Sequence, residues 1–270
     1  MKQQFTMPAT RVMGIVNITP DSFSDGGRYE VVEDATRHAF QLVEDGADVL
    51  DIGAESTRPG AIALDWETEW ARLEPVLRSL VPAVRVPVSV DTYHVETAER
   101  AIALGVQMIN DISACADPRM ATLVRQSEVA YVYMHNRSEM DETLDVTALV
   151  RETEAGVQQL LHLGVAPEQI YIDPGVGFAK TRQQDLACIR EVDLFCQLGY
   201  PVLLGTSRKR VIGSVLNLPV SERLEGNLAT VAYALLHGVQ VVRVHDVKET
   251  VRVCRMLEAI VGGGLSSDIS

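Results

Sequence analysis

The sequence predicts a single α/β domain built as a (β/α)8 TIM barrel, and three observations support that prediction. Short apolar runs alternate with amphipathic helical patterns from one end of the 270 residues to the other. Several of these runs are almost continuously apolar, which is typical of parallel strands covered on both faces. No Pro-, Gly- or Ser-rich linker divides the chain. A doubly wound open sheet is the alternative arrangement of the same elements.

Eight segments are predicted as strands: residues 12–19, 48–55, 87–92, 108–113, 130–136, 170–175, 201–207 and 241–247. The segments between them carry apolar residues at helical spacing. Three of the predicted helices end at a glycine, namely Gly46, Gly164 and Gly238. A glycine in the left-handed conformation commonly closes a helix. The repeated order of helix, glycine and apolar strand therefore indicates βα units. We expect residues 1–264 to form the domain and 265–270 a disordered tail.

Composition and charge exclude several classes of partner. A net charge of −13 leaves no basic footprint for nucleic acid or for an anionic membrane surface. The chain is 47% hydrophobic, enough for a large core, but no apolar run has the length of a membrane span. The first ten residues lack the apolar region of a secretory signal, and the four cysteines are scattered. Both features favour a reducing cytoplasm.

Polar residues follow the predicted strands at the point where each strand ends. In a barrel of this class, the carboxyl ends of the strands meet at one face, which carries the active site. Any one of these residues could simply cap a helix or form a turn. Eight strands that all end this way predict a site. The residues are Asn17, Asp51, Glu55, Asp91, Asn110, Asp111, His135, Asp173, Ser207, Arg208, Lys209, Arg243, His245 and Asp246.

The predicted site has an acceptor half and a cationic half. Asp91, Asn110 and Asp173 offer oxygens that suit the N–H edge of an aminopyrimidine ring. The cations suit phosphate oxygens, and they are Arg58, Arg208, Lys209, Arg210, Arg243 and His245. The pattern therefore predicts a ring with donor edges that carries a phosphate or a diphosphate. No zinc-ligand spacing is present, and Mg²⁺ shared between Asn17 and phosphate oxygens is the metal that this donor set favours.

The segment 170–181, IYIDPGVGFAKT, comes close to a phosphate-binding loop. Ala179 stands where the Walker A pattern needs its second glycine, and Lys180 replaces the third glycine of a dinucleotide motif. Both phosphate interpretations are therefore weak. The favoured interpretation is a tight turn that directs Asp173 into a pocket. Phe178 either stacks on a bound ring or belongs to the core.

Seven segments together resemble dihydropteroate synthase of folate biosynthesis. They are MGIVNITPDSFSDGG at 13–27, DIGAESTRPGA at 51–61, SVDT at 89–92, INDIS at 109–113, DPGVGF at 173–178, GTSRKRVIG at 205–213 and RVHDVKET at 243–250. The resemblance implies a single enzyme domain that joins 6-hydroxymethyl-7,8-dihydropterin diphosphate to 4-aminobenzoate, giving 7,8-dihydropteroate and diphosphate. SVDT and INDI are shared with other pterin-binding barrels.

The resemblance also implies a role for each matching residue. The pterin would be held by Asp91, Asn110, Asp173 and Lys209, with Met134 and Phe178 packed on it. The diphosphate would be gripped by Arg243, His245, Arg58 and Asn17, of which Asn17 would also bind Mg²⁺. The aminobenzoate would lie near Thr57, Ser207 and Arg208. Lys209, Arg243 and His245 would be the catalytic residues.

Two other functions share part of this pattern. A pterin-dependent methyltransferase would use the same Asp–Asn–Asp set but would have no use for a diphosphate clamp. A catalytically inactive pterin-binding barrel would not need to keep Asn17, Lys209, Arg243 and His245 together. The family also suggests a homodimer, formed through the apolar face of residues 251–262. That face could equally pack on the barrel.

Overall fold

The computed structural model describes residues 10–18, 28–55 and 63–261. Within these ranges the chain forms eight parallel strands, each short and buried along most of its length. They are β1 (Arg11–Asn17), β2 (Val49–Gly53), β3 (Val88–Asp91), β4 (Met108–Asp111), β5 (Ala130–Met134), β6 (Ile170–Asp173), β7 (Leu203–Leu204) and β8 (Val241–Val244).

The strands close into a barrel. The hydrogen-bonded order is β6-β5-β4-β3-β2-β1-β8-β7, so the first strand lies between the second and the last. Met13 of β1 is in register with Val49 of β2 and with Arg243 of β8. A parallel bridge between Ile172 and Val202 joins β6 to the start of β7 and completes the ring. The prediction of a barrel is confirmed, and the alternative of an open doubly wound sheet is wrong.

Ten α-helices lie outside the strands in the described part of the chain. They are α1 (Arg28–Glu44), α2 (Trp66–Leu80), α3 (Val95–Ala103), α4 (Pro118–Gln126), α5 (Val146–His162), α6 (Arg182–Arg190), α7 (Val192–Cys196), α8 (Arg210–Leu216), α9 (Leu224–Leu236) and α10 (Val247–Ile260). This is more than the eight expected, because two helices follow each of β6 and β7. The three predicted glycine stops are confirmed, with φ values of +101° at Gly46, +87° at Gly164 and +95° at Gly238.

The strands end one to three residues earlier than the sequence pattern predicts. The reason is local, because the polar residues at the strand ends capture the following backbone. Ser113 donates its backbone N–H to Asp111 Oδ1 at 2.7 Å, and Gly175 donates to Asp173 Oδ1 at the same distance. Such turns take the backbone out of the sheet at the carboxyl end of the strand.

The core has two layers. One layer fills the space between the barrel and the helices. The other fills the inside of the barrel and forms its floor, with Met13, Val49, Met108, Ala130, Val132, Tyr171, Leu203 and Val241 in contact. Side chains thus fill the inside of the barrel, as in other barrels of this class. The site lies at the end of the barrel where the strands have their carboxyl ends. Among the described residues, no helix is long and apolar enough to cross a membrane, and the four cysteines are free thiols.

Candidate active site

Polar side chains gather at the carboxyl ends of the strands, the end of the barrel that we call its mouth. They lie directly above the apolar floor. Side chains two positions apart on a strand point to the same face. Asp51, Asn110, Asp173 and Arg243 each come two residues after a floor residue on their own strand, and Met134 does the same after Val132. These side chains therefore point into the barrel, in the layer above the floor. Asp91 joins them at the end of β3, because its Cα lies in register with that of Asn110.

Arg243 connects two carboxylates in this layer. Its Nε donates to Asp51 Oδ2 and its Nη2 donates to Asp91 Oδ2, both at 2.6 Å. Asn110 donates its amide Nδ2 to the same Asp51 oxygen at 3.1 Å. Burial raises the pKa of Asp91 to about 7, while the nearby guanidinium acts in the opposite direction. One cation is thus shared between two acids, and Asn110 is oriented by Asp51, the acid that lies closest to the floor.

Lys209 and Asp173 are close enough for the charge of each to act on the pKa of the other. Lys209 donates its Nζ to the carbonyl of Val176 at 2.6 Å, and this Nζ lies 4.8 Å from the centre of the Phe178 ring. Burial lowers the pKa of Lys209 to about 8, while the charge of Asp173 counteracts that change. Burial likewise raises the pKa of Asp173, and Lys209 counteracts the rise. Asp173, Phe178 and Lys209 are thus assembled in one corner.

Ser207 and His245 meet at the ends of β7 and β8. A hydrogen bond of 2.9 Å joins Ser207 Oγ to His245 Nδ1, and the backbone N–H of His245 donates to the same hydroxyl at 3.2 Å. Beside them, Arg208 donates from Nη2 to Asp246 Oδ1 at 2.7 Å. Arg208 has a positive φ of 60°, so its backbone is held in a conformation that non-glycine residues rarely adopt. The β7 and β8 ends are therefore tied together by side chains.

Asn17 ends β1 on the same rim. Its Cα is in register with Gly53, which is itself in register with Asp91. No group of three His, Cys, Asp or Glu side chains suited to a metal occurs in the described ranges. An amide oxygen without a surrounding cage fits Mg²⁺, which keeps several waters and uses few protein ligands when a substrate phosphate is present.

Two predicted residues, Thr57 and Arg58, lie outside the described residues, as does the predicted tail at 265–270. Their roles stay predictions. The other predicted site residues lie at carboxyl ends of strands or in the loops that follow them, on one face of the barrel, except Arg210, which is the first residue of α8. Asp51 is predicted at a strand end, but the sequence pattern gives it no role. Its inward direction can be predicted, because Asp51 comes two residues after Val49 and side chains two positions apart on a strand point to the same face.

Arg223 is a residue for which the sequence offered no signal. Its Nη1 donates to the carbonyls of Arg208 and Lys209 at 2.9 and 3.3 Å, and its Nε and Nη2 donate to the carbonyl of Leu218 at 3.1 Å. The guanidinium crosses α8 at Gly213, where a Cβ would lie 2.2 Å from Nη2. Arg223 therefore holds the backbone that carries Arg208 and Lys209.

The chain matches the family model of pterin-binding enzymes over residues 13–245. That span contains β2 to β8, all of β1 except its first two residues, and every residue to which the sequence analysis gives a role in binding or catalysis. The barrel with its acidic and cationic mouth is therefore that of a pterin-binding enzyme.

Relatives within that class narrow the identification. The dihydropteroate synthase of Bacillus subtilis is 44% identical, over 94% of this chain and 90% of its own length. The Clostridium difficile dihydropteroate synthase, solved in the presence of pteroic acid, has a TM-score of 0.90 at 40% identity and covers 94% of this chain and 97% of its own. The Xanthomonas albilineans enzyme, solved with 4-aminobenzoic acid, has a TM-score of 0.91 at 39% identity, with 95% of both chains covered. The chain belongs to the dihydropteroate synthase family, whose members are transferases.

Proposed function

We propose that the enzyme condenses 6-hydroxymethyl-7,8-dihydropterin diphosphate with 4-aminobenzoate at the mouth of the barrel. The bond between the pterin methylene carbon and the diphosphate oxygen breaks, and a bond from that carbon to the amine nitrogen forms. The amine loses one proton, and diphosphate leaves. The observation that carries this proposal is that acceptors on β3, β4 and β6 lie at the same end of the barrel as Arg243 of β8 and Lys209 of the loop after β7, close enough to bind one another or to interact by charge.

The acceptors recognise the pterin ring. Asp173 has one carboxylate oxygen bound to the Gly175 N–H, and the other is available for a ring donor. Asn110 directs its Nδ2 toward Asp51, so its amide oxygen is the atom that remains for the ring. Met134, which is 2% exposed, and Phe178 provide apolar surface for the faces of the ring. Lys209 donates to ring acceptors from beside Phe178.

The cations hold the leaving diphosphate. Neutralising the charge that develops on a leaving group is one of the largest contributions that an enzyme makes to its rate. Arg243 already donates from Nε and Nη2, and its Nη1 has no hydrogen-bond partner among the described residues. We assign that nitrogen, together with His245 and the predicted Arg58, to phosphate oxygens. Mg²⁺ held by Asn17 would withdraw charge from the same oxygens when bound.

The aminobenzoate lies between the β7 and β8 ends. Ser207 is fixed by its hydrogen bond to His245, and Arg208 is fixed by Asp246, so both present their polar groups from stable positions. We assign Ser207, Arg208 and Thr57 to this substrate. The aromatic amine is itself the nucleophile, so the reaction requires no attacking group from the protein.

The assembly and the compartment are also proposals. A homodimer through the carboxyl ends of α9 and α10 is supported by their exposed apolar residues. The cytoplasm is supported by the free state of the four cysteines, which suits a reducing compartment.

The proposed reaction is tested by measuring diphosphate release. Release should require both the dihydropterin diphosphate and 4-aminobenzoate, should increase with Mg²⁺, and should produce one dihydropteroate per diphosphate. Lys209→Met should abolish most of the activity, because it removes the donor beside Phe178. Release that proceeds equally well without 4-aminobenzoate would identify a hydrolase and reject the proposal.

A further inference from the structure

Lys180, the lysine of the segment that resembles a phosphate loop, does not reach the mouth of the barrel. It is 2% exposed, and its ammonium group lies beneath the loop that follows β6. Nζ lies 3.2 Å from the carbonyl oxygen of His135, 3.1 Å from that of Gly175 and 3.2 Å from that of Phe178. It also lies 2.9 Å from His135 Nδ1. A phosphate could not reach this nitrogen, so the lysine must serve another purpose.

The contacts of Lys180 bear on its charge and on the tautomer of His135. Burial lowers the pKa of Lys180, while nearby acidic groups, among them Asp173, Asp185 and Glu152, oppose this change, and the three carbonyl oxygens around Nζ favour the ammonium form. An ammonium group is a donor only, so His135 Nδ1 accepts and the imidazole is neutral. Nε2 then carries the proton and donates to Glu152 Oε2 at 2.9 Å. Burial and the ammonium both lower the pKa of His135, while Glu152 acts in the opposite direction. Arg137, 3.4 Å from the other Glu152 oxygen, completes the set of charged groups around the imidazole.

The carbonyls that meet at Lys180 come from two different strand ends. His135 directly follows Met134 of β5, whereas Gly175 and Phe178 belong to the loop after Asp173 of β6. Gly175 has a φ of +68°, and a Cβ there would lie 2.0 Å from the His135 carbonyl oxygen. The two backbones are therefore in close contact, with their carbonyl oxygens converging. Without a cation, these negative ends would repel one another.

We propose that Lys180 is a positioning residue for the pterin pocket, because one buried ammonium holds the ends of β5 and β6 together and thereby sets the spacing of Met134, Asp173 and Phe178. This inference rests on the proposed function, since it concerns the same pocket. Lys180 does not touch the ring in this arrangement. It acts through the backbone of the loop after β6, to which Lys209 also donates, at the carbonyl of Val176.

The test compares Lys180→Met with a matched control, Gln169→Met. Gln169 Nε2 contacts three carbonyl oxygens, of Val124, Ser127 and Val129, at 2.9 to 3.0 Å. It therefore ties backbone together in the same way, but immediately before β6, at the end of the strand opposite to the site. Both variants lose comparable contacts with carbonyl groups. Only Lys180→Met alters the spacing of the pocket.

Titration calorimetry with pteroic acid should give a Kd about ten- to a hundredfold weaker for Lys180→Met, since a displacement of about 1 Å in a positioned group can have an effect of that size. The KM for the pterin substrate should rise with it, while the KM for 4-aminobenzoate should change less than about twofold, because that substrate contacts other loops. Gln169→Met should leave both constants near the wild-type values. Lys180→Gln, which keeps two N–H donors, should lie between wild type and Lys180→Met.

Nitrogen NMR of His135 supplies a readout that loss of stability alone would not produce. In the wild type, the ring should stay neutral with its proton on Nε2 around neutral pH. In Lys180→Met, the pKa of His135 should rise, because the adjacent ammonium is gone and Glu152 remains. The control should leave the His135 signal unchanged.

Three outcomes would overturn the inference. The first is that pteroic acid binds Lys180→Met as tightly as wild type. The second is that the two methionine variants weaken binding equally, which would reveal a general effect of stability. The third is that both Lys180 variants fail to fold, which would assign the lysine to the fold and not to the site. Wild-type protein that binds no pteroic acid would instead contradict the proposed function itself.

Discussion

Arg243 links two buried carboxylates that come from β2 and β3, and this arrangement determines the electrostatics of the mouth. Asp51 and Asp91 each accept a hydrogen bond of 2.6 Å from the one guanidinium. Three charged groups then carry a net charge of −1 in a site sheltered from water, so one acid resists ionisation. Burial is the main cause of the raised pKa of Asp91, Arg243 opposes the rise, and the charge of Asp51 adds to it. The consequences for binding, catalysis and stability can be measured residue by residue.

Asp173→Asn should lower kcat/KM for the pterin substrate by about a hundredfold, the size expected for one or two lost hydrogen bonds to a charged group. The amide can still accept from the Gly175 N–H, so the loop should keep its shape. It cannot accept a second hydrogen bond from the ring at its nitrogen. Steady-state kinetics check this, with Asp145→Asn at the N-cap of α5 as the control that keeps wild-type rates. Wild-type turnover in Asp173→Asn would remove Asp173 from the pterin site.

Arg243→Ala should weaken diphosphate binding by about 2–5 kcal/mol, the usual cost of removing one partner of a buried charge pair. Calorimetry with inorganic diphosphate measures this directly, and an unchanged affinity would exclude Arg243 from the clamp.

The same variant should also lose stability in a pH-dependent way. Arg243 lowers the pKa of Asp91, so its removal raises that pKa further. A carboxyl group whose pKa is higher in the folded than in the unfolded state makes the protein less stable as pH rises between the two values. Wild-type Asp91 loses the same stability up to its own folded pKa of about 7. Denaturant unfolding of Arg243→Ala should therefore show a deficit relative to wild type that is constant in acid and grows as pH rises above about 7. A deficit independent of pH would contradict this account.

The pH dependence of the wild-type enzyme should be a narrow bell. Asp91 must be ionised to accept from the ring, and this form appears as pH rises through about 7. Lys209 must be protonated to donate, and this form is lost as pH rises through about 8. We therefore expect kcat/KM for the pterin substrate to be highest between these values. Burial is the main cause of both pKa shifts, and the neighbouring charges that modify them are Arg243, Asp51, Glu69, Asp173, Asp185 and Lys180. Lys209→Arg should remove the alkaline limb, since arginine stays protonated, and an alkaline limb that persists would assign it to another group.

At the scale of elements, the connection between β7 and α8 is held by a side chain from the start of α9. Arg223 donates to the carbonyls of Arg208 and Lys209, which lie at least 14 residues earlier in the chain. This connection carries the strained backbone of Arg208 and the donor Lys209. The turn is thus braced from outside its own segment, which explains why no local pattern could predict it.

Gly213→Ala tests whether the hydrogen bonds of Arg223 support the connection between β7 and α8. Helix propensity alone would make alanine more stable than glycine by about 1 kcal/mol in the interior of α8. We expect the opposite, because the new Cβ would displace the Arg223 guanidinium from its carbonyl partners. Thermal unfolding should show a lower Tm, and activity should fall with it. In an Arg223→Ala background the same change should become neutral or stabilising, and the double-mutant cycle isolates the interaction. A higher Tm for Gly213→Ala in the wild-type background would contradict this role of Arg223.

At the scale of the whole molecule, the barrel separates a sealed floor from a charged mouth. The floor residues and the mouth residues alternate along the same strands, two positions apart. The helices run antiparallel to the strands, so their carboxyl ends gather at the opposite end of the barrel. There, Leu236 of α9 is 58% exposed, and Met256 and Ile260 of α10 are 62% and 66% exposed. Another face of α10, which includes Val251 and Cys254, is buried against the barrel.

The exposed apolar end supports the proposed homodimer. Light scattering coupled to size exclusion should give twice the 29.6 kDa of the chain for the wild type. Met256→Glu combined with Ile260→Glu should give the monomer mass, because burying two new charges is costly. Leu163→Glu changes an exposed apolar residue at the end of α5 and should leave the dimer intact. A wild-type protein that is monomeric at all concentrations would contradict the proposed homodimer.

The sequence by itself determined the barrel, the eight strands and the residues that occupy its mouth. These properties are local, since strand periodicity and the polar residue at each strand end can be read within a few positions. Only the tertiary structure decided which charges meet. Arg243 and Asp51 are 192 residues apart, and their contact depends on the closure of β1 onto both β2 and β8. The burial of Lys180 beneath its own loop and the crossing of Arg223 over Gly213 depend in the same way on how separate elements pack. Hydrogen bonds between distant residues follow from that packing, and no short pattern encodes them.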